Sequence, residues 1–247
     1  MVVKAVIFDL DGTIVAFNID FKAVRAEVRS FLTSIGLPAS ILSLNESIFE
    51  MLKKTEIFMK NHDKSQKSMA EAREKALAIA EKYELEAAKY TSLFPGAIET
   101  LKALKKMKLK VGLCTINSQK SADYVLKRFK IEEYFDALVP RDKVKYVKPN
   151  SEHLEATLKA LKVEADEAIV VGDSTIDMKC ARELKVTAVG LPTGVSSLKD
   201  LISSGANYFI TSLADLPSLI EYVGRIPEKQ EETQKTNPDI PFHAGLK

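Results

Sequence analysis

The feature that most constrains the fold is an alternation of short apolar segments and amphipathic segments after residue 92. Runs rich in Val, Ile and Leu are followed by runs whose apolar residues recur at helical spacing. The predicted strands are residues 110–115, 135–139, 168–172, 186–190 and 207–210. Strands that alternate with helices of this length form a parallel sheet with right-handed crossovers and helices on both faces. We therefore predict an α/β fold with a Rossmann-like three-layer core.

The N-terminal part adds one strand and a helical segment. The run VVKAVIF at residues 2–8 is β-branched and apolar and ends at an Asp-Gly turn, which predicts a buried parallel strand. Between about residues 20 and 90, three stretches show helical spacing and no strand pattern intervenes. We predict a core formed by residues 1–16 and 92–224 and a small all-helical cap domain at residues 17–91. The polar, proline-containing residues 225–247 predict a flexible tail.

The composition excludes several classes of function. The 247 residues are 46% hydrophobic and carry a formal net charge of +2, with no basic run of the kind that binds nucleic acid. No apolar run approaches the roughly 20 residues of a membrane span, and no secretory signal is evident. Cys114 and Cys180 are not in CxxC spacing, which favours reduced thiols. We predict a cytoplasmic monomer or homodimer that binds neither nucleic acid nor membrane.

Polar residues follow several predicted strands at the point where each strand ends. The motif DLDGT at residues 9–13 follows the first strand, TIN at 115–117 ends the second, and GDSTID at 172–177 ends the fourth. In open parallel sheets, ligands bind at the carboxyl ends of the strands. We therefore expect one edge of the sheet to bring together Asp9, Asp11, Thr115, Lys148 and Asp173.

The paired carboxylates indicate a bound divalent cation. Asp9 and Asp11 are two residues apart and point the same way if the backbone stays extended, so their charges repel. Mg2+, which prefers oxygen ligands, relieves that repulsion, and Asp173 supplies a third ligand. With Asp9 charged and bound to the metal, Asp11 is free to carry a proton. Lys148 and Thr115 suit the negative charge of a transferring phosphoryl group.

Together these motifs resemble the four-motif signature of the haloacid dehalogenase-like superfamily. More narrowly, the chain resembles phosphatases of the phosphoglycolate-phosphatase type, whose helical cap follows the first motif. The resemblance covers residues 2–223. It implies a magnesium-dependent phosphatase that hydrolyses a small phosphomonoester, phosphoglycolate-like or a sugar phosphate, through a covalent aspartyl-phosphate. The aspartate at position 11 argues against dehalogenase activity.

The resemblance also implies roles for individual acids. Asp9 is expected to be the nucleophile, and Asp11 to protonate the leaving oxygen and then to deprotonate the hydrolytic water. Mg2+ is expected to bind the carboxylates of Asp9 and Asp173 and the backbone carbonyl of Asp11. Asp177 is expected to orient a metal-bound water, and it can also complement the dipole of the helix that begins near it.

The phosphate-binding residues implied by the resemblance are Gly12, Thr115, Asn117 and Lys148. Two departures from the family pattern bear on this set. Many relatives place Asn directly after the motif Thr, whereas Ile116 intervenes here, and residues 14–18 read IVAFN without the usual acidic residue and Ser. The second departure weakens any transfer of phosphoglycolate specificity. In the cap, Phe17 and Arg25 are candidate substrate contacts, although a solvated face is the alternative for Arg25.

The same motifs are compatible with two other functions. A phosphomutase uses the same intermediate but passes the phosphoryl group to a sugar. A receiver-like signalling module also places acids, a Thr and a Lys at strand ends, but it needs a long-lived phosphorylated aspartate. Asp11 favours rapid turnover, which argues against the receiver.

Overall fold

The computed structural model describes residues 2–16 and 18–225. Within them lies a six-stranded, fully parallel sheet with the order β3-β2-β1-β4-β5-β6, which confirms the predicted α/β class. The predictions for Phe17 and for residues 226–247 fall outside the described residues. The strands are β1 (Ala5–Phe8), β2 (Lys110–Thr115), β3 (Ala137–Pro140), β4 (Ala168–Gly172), β5 (Thr187–Gly190) and β6 (Tyr208–Phe209).

Nine α-helices are present in the described part of the chain. They are α1 (Phe21–Ser34), α2 (Ile48–Asn61), α3 (Gln66–Tyr90), α4 (Ala97–Lys106), α5 (Gln119–Phe129), α6 (Ser151–Leu161), α7 (Thr175–Glu183), α8 (Leu198–Ser204) and α9 (Leu216–Arg225). The largest departures from the predicted bounds concern strands. The first begins at residue 5 and not at residue 2, and β6 keeps two of four predicted residues. No described helix combines the length and apolar character needed to cross a bilayer.

The sheet is covered by helices on both faces. Val6 and Phe8 of β1 pack in one hydrophobic cluster with residues of α4, α5 and α9. Ala5 and Ile7, which point the opposite way, pack in a second cluster with residues of α6, α7 and α8. All four β1 side chains are fully buried, which explains why the strand is a continuous apolar run.

Helices α1, α2 and α3 form a third cluster of their own, in which Val28, Met51 and Ala76 are fully buried. The chain enters and leaves this helical segment side by side, because the Ala16 N–H donates to the Ser92 carbonyl at 2.8 Å. The division into a core and a cap at residues 17–91 stays a prediction.

The register of the sheet brings the strand ends to one level. Phe8 pairs with Leu113 of β2 and with Val171 of β4. Thr115 and Asp173 each lie two residues beyond those partners, so both reach the edge at which the chain leaves β1.

Candidate active site

A cavity of about 260 Å³ lies at the carboxyl edge of the sheet, beneath the helical segment. Six of the residues predicted to converge at this edge or to bind phosphate line it: Asp9, Asp11, Thr115, Asn117, Lys148 and Asp173. Gly12 and Asp177 lie directly behind this lining, as their contacts below show. The clustering expected from the strand ends is therefore present in the structure.

Lys148 is held by three partners at the floor of the cavity. Its Nζ lies 2.8 Å from Asp9 Oδ1, 2.6 Å from Asp177 Oδ1 and 2.7 Å from the Cys114 carbonyl oxygen. Burial lowers the pKa of the ammonium group, but the carboxylates of Asp177 and Asp9 outweigh that effect and hold the pKa well above its usual value. Lys148 is therefore a fixed positive charge against the predicted nucleophile.

The backbone around Lys148 is fixed by a buried histidine. His153 Nδ1 accepts a hydrogen bond from the Lys148 N–H at 3.3 Å, and His153 Nε2 lies 2.9 Å from the Val139 carbonyl oxygen. These partners require a neutral ring that donates from Nε2 and accepts at Nδ1. Burial and the charge of Lys148 lower the pKa of His153 to about 4, which keeps the ring neutral. No ligand spacing marks this histidine in the sequence, and only the packed structure shows its positioning role.

Asp9 and Asp11 face the cavity, and their carboxyl groups have different pKa values. Burial raises the pKa of Asp9, and Lys148 opposes that rise, leaving the pKa at about 6. Burial and the neighbouring charge of Asp9 raise the pKa of Asp11 to about 7. The Asn117 amide donates to Asp11 Oδ2. At neutral pH the pair therefore favours a charged Asp9 beside an Asp11 that exchanges a proton readily.

The acids at this edge are suited to a divalent cation. Asp9, Asp173 and Asp177 each offer a carboxylate oxygen, and the three oxygens lie within 4.8 Å of one another. Burial, with the charges of Asp9 and Asp177, raises the pKa of Asp173 to about 8. A buried group of carboxylates that repel one another is stabilised by a hard cation with oxygen ligands. The donor set therefore fits Mg2+.

Asp173 and Asp177 are fixed by their local structure. Asp173 accepts a hydrogen bond from the Val195 N–H at 2.9 Å and lies 3.4 Å from Thr13 Oγ1. Asp177 stands in the first turn of α7 and forms a capping box with Ser174, the N-cap residue. Its other oxygen binds Lys148, so Asp177 contacts the site in addition to stabilising the start of the helix.

Gly12 is required by the close approach of Asp173. Its φ is +82°, a conformation that favours glycine, and a Cβ at this position would lie 2.5 Å from Asp173 Cγ. Gly12, predicted to bind phosphate, therefore also leaves room for the Asp173 carboxylate.

The family model described as haloacid dehalogenase-like hydrolase matches residues 6–191, which include every motif residue discussed above. The chain belongs to the haloacid dehalogenase-like hydrolases. This confirms the family resemblance and the prediction that the protein is an enzyme of that type.

Named and solved relatives of this hydrolase match most of its length. A putative pyrophosphatase PpaX from Caldanaerobacter subterraneus subsp. tengcongensis is 30% identical over an alignment of 237 residues, which covers 90% of this chain and 96% of the relative. Phosphoglycolate phosphatase 1 from Pseudomonas aeruginosa is 28% identical over 218 residues, covering 86% of this chain and 78% of the relative. The crystal structure of a hydrolase from Pseudomonas syringae superposes with a TM-score of 0.65 at 28% identity, covering 89% of this chain and 99% of that one.

The cavity of this hydrolase is also lined by residues of the helical segment, which we call the roof. Its apolar members are Ile19, Phe21, Val24, Ile48, Phe49 and Ala80, and its polar members are Arg25, Ser47 and Glu84. Arg25, a predicted cap contact, thus lines the cavity. Its side chain lies over the Phe21 ring, with 6.0 Å between the guanidinium carbon and the ring centroid.

Sequence reasoning missed the polar contact that joins the roof to the sheet. Glu84 in α3 and Arg141 after β3 form an ion pair in which both side chains are buried. The second carboxylate oxygen of Glu84 accepts a hydrogen bond from the Ser118 N–H at 3.0 Å. Glu84 therefore holds the loop after β2, which carries Asn117 and follows Thr115. A polar residue on an amphipathic helix carries no sequence signal of such a role.

Proposed function

We propose that this hydrolase releases inorganic phosphate from a small phosphomonoester by way of a phosphorylated Asp9, with Mg2+ as cofactor. The observation that carries the proposal is the arrangement around Asp9. Its carboxylate contacts the Lys148 ammonium group and belongs to the acid cluster with Asp173 and Asp177, and the neighbouring Asp11 has a pKa of about 7. This combination supplies a nucleophile, a charge that binds phosphate and a group that transfers a proton.

In the first half-reaction, a carboxylate oxygen of Asp9 attacks phosphorus. The bond from phosphorus to the ester oxygen breaks, and Asp11 gives its proton to that oxygen, so the product leaves as a neutral alcohol. Lys148 and the Thr115 hydroxyl bind the phosphoryl oxygens as charge develops on them. Asp11 ends this step as a carboxylate.

In the second half-reaction, water attacks the phosphorus of the acyl phosphate. Asp11 removes a proton from the water, and the bond between phosphorus and Asp9 breaks, which restores the Asp9 carboxylate. Asp11 therefore returns to its protonated form, and the cycle is complete. Asn117, which donates to Asp11, keeps that carboxyl group oriented in both steps.

Mg2+ would be held by the carboxylates of Asp9 and Asp173 and by the backbone carbonyl of Asp11, with Asp177 behind them. When bound, it would neutralise the charge that gathers between the acids and the phosphoryl group. Asp173 is fixed for this purpose by the Val195 N–H, and Gly12 leaves room for its carboxylate.

The substrate we propose is a small phosphorylated metabolite. The two named relatives point to phosphate compounds, a pyrophosphate in one case and phosphoglycolate in the other, and the family resemblance adds sugar phosphates. The roof shields the cavity from bulk water, which favours transfer of the phosphoryl group over side reactions. We also propose a cytoplasmic location, supported by two buried cysteines that form no disulfide.

Phosphate release from 4-nitrophenyl phosphate tests the proposal. We expect activity that requires Mg2+ and is abolished by EDTA, and a loss of at least about 10³-fold in Asp9→Asn, which removes the nucleophile. The matched control is Asp166→Asn. Asp166 is an exposed carboxylate just before β4, at the amino ends of the strands, and its replacement should leave the activity unchanged. Undiminished turnover in Asp9→Asn would refute the mechanism.

Incubation with sugar phosphates, followed by analysis of the products, the free phosphate and the protein itself, separates the two alternatives. A mutase would interconvert sugar phosphate isomers with little free phosphate. A receiver-like module would accumulate phosphorylated protein without turnover. We expect neither result, because Asp11 is placed to activate water for the second half-reaction.

A further inference from the structure

Two polar residues of the roof, Ser47 and Glu84, are engaged within the protein, and the third, Arg25, makes one long polar contact there. Arg25 Nη1 lies 3.5 Å from the Leu44 carbonyl oxygen, and its guanidinium group covers the Phe21 ring. The Ser47 hydroxyl accepts from the Glu50 N–H at 3.2 Å and donates to the Glu50 carboxylate at 3.1 Å. Glu84 is occupied in the same way by its ion pair and its backbone hydrogen bond. The roof therefore offers few groups with which to hydrogen-bond a substrate.

The cavity offers a second anionic group on the substrate little compensation for its lost hydration. Two cations among the described residues line it, Arg25 and Lys148. Lys148 is engaged by Asp9 and Asp177, and the phosphoryl group itself needs its charge. Arg25 is the one cation of the roof, and its guanidinium group lies over the Phe21 ring. A carboxylate or a second phosphate beneath the roof would therefore leave water for a mainly apolar surface, which is costly.

The remaining surface of the roof is apolar. Ile19, Val24, Ile48 and Ala80 are buried, and with Phe21 and Phe49 they form the apolar lining that the helical segment contributes to the cavity. Sugar hydroxyl groups placed there would lose their hydrogen bonds to water without replacement, which is costly. An apolar group of similar size would instead gain from leaving water.

We propose that the substrate joins its phosphoryl group to a compact apolar group, either aryl or branched alkyl, and not to a sugar or a second anion. This inference rests on the phosphatase function proposed above, and it excludes as substrates the sugar phosphates, phosphoglycolate and pyrophosphate that the resemblance and the relatives' names suggest. The apolar group occupies the space beneath Val24, Ile48 and Phe49 while the phosphoryl group contacts Asp9 and Lys148.

A comparison of benzyl phosphate with glucose 6-phosphate tests the proposal. Both esters release a primary alcohol, so their intrinsic reactivity is similar and the comparison reports on the roof. We expect kcat/KM for benzyl phosphate to exceed that for glucose 6-phosphate, phosphoglycolate and pyrophosphate by at least about tenfold. Equal or better use of any of these three polar substrates would overturn it.

A matched pair of variants tests whether the roof causes the preference for benzyl phosphate. Val24→Thr replaces a roof methyl group with a hydroxyl at nearly constant volume, and Val28→Thr makes the same change one turn further along α1, in the interior of the helical cluster. We expect Val24→Thr to reduce the preference for benzyl phosphate over glucose 6-phosphate by about tenfold, and Val28→Thr to leave that ratio unchanged. An unchanged ratio in Val24→Thr counts against the proposal, and circular dichroism is used to check that both variants are folded.

Binding of phosphonates that cannot be hydrolysed distinguishes a failure of this inference from a failure of the proposed phosphatase function. Calorimetry in Mg2+ buffer would compare benzylphosphonate with phosphonoacetate, neither of which can be hydrolysed as an ester. Tighter binding of benzylphosphonate supports the inference even if no ester releases phosphate, a result that would refute the phosphatase function alone. Equal binding, weaker binding or no binding of benzylphosphonate overturns the inference.

Discussion

Glu84 in α3 and Arg141 after β3 form a buried ion pair that joins the helical segment to the edge of the sheet. Arg141 also donates from Nη1 to the Ile116 carbonyl and from Nη2 to the Leu77 carbonyl, each at 3.2 Å. Glu84 in turn accepts from the Ser118 N–H. A single pair of side chains therefore fixes the roof, the loop after β2 and the segment after β3 relative to one another.

We expect Glu84→Gln to destabilise the protein by about 3 kcal/mol, because it leaves the Arg141 guanidinium buried without a compensating charge. The loop after β2 should also lose its anchor, and kcat/KM should fall. Urea unfolding and steady-state kinetics measure the two effects. The control is Glu81→Gln, one turn earlier in α3, whose exposed pair with Lys120 spans 3.4 Å. That change should cost less than about 1 kcal/mol, and equal losses in the two variants would contradict the interpretation.

Gly12→Ala should damage the site beyond the strain of its backbone conformation. The added Cβ would lie 2.5 Å from Asp173 Cγ, so the carboxylate must move. We expect weaker Mg2+ binding, measured by calorimetry, and a loss of phosphatase activity. Gly36→Ala is the matched control, because Gly36 also has a positive φ, +102°, but a Cβ placed there would meet no atom within 4 Å. That variant should lose only about 1 kcal/mol of stability and keep its Mg2+ affinity.

Asp11→Asn should reduce activity by an amount that depends on the leaving group of the ester. An amide cannot protonate the departing oxygen, so kcat/KM for benzyl phosphate should fall by about 10²- to 10⁴-fold. 4-Nitrophenolate leaves without a proton, and its release should suffer less. Because the second half-reaction also needs Asp11, we expect a burst of about one nitrophenolate per enzyme, followed by slow turnover. Equal losses with both esters and no burst would argue against the role of Asp11.

His153 should make the stability of the protein depend on pH in the acidic range. Its folded pKa is about 4, below the usual value of 6.5, so the unfolded state binds more protons between those two values. The stabilisation is complete above about pH 6.5 and is lost as the pH falls toward 4. Between pH 7 and pH 5 we expect the free energy of unfolding to fall by up to about 2 kcal/mol more in the wild type than in His153→Gln. Urea titrations at both pH values measure the difference, and parallel pH profiles would contradict it.

The fold and the clustered motifs were predictable because their signals are local. Each strand is a short apolar run, each helix has a regular apolar spacing, and parallel order places all strand ends together. Asp9, Asp11 and Asp173 could therefore be assigned to one edge before any contact was known. The bounds of β6 were less predictable, since an edge strand is limited by its single neighbour, β5.

The contacts of the roof were not predictable, because they depend on packing between distant segments. Glu84 and Arg141 are 57 residues apart, and a glutamate in α3 fits the polar face of an amphipathic helix. Lys148 was expected to bind phosphate, but its pairing with Asp177 depends on how α7 packs beside the loop before α6. Such pairs are set by tertiary geometry and leave no periodic trace in the sequence.

The central position of β1 protects it from local unfolding. Asp9 follows a fully buried strand that has hydrogen-bonded neighbours on both sides, whereas β3 and β6 lie at the edges. Local fluctuations begin where backbone groups have fewest partners, so the edges should exchange their amide hydrogens with deuterated water long before residues 5–8 do. The reactive carboxylate is thus attached to the part of the sheet that is the last to come apart.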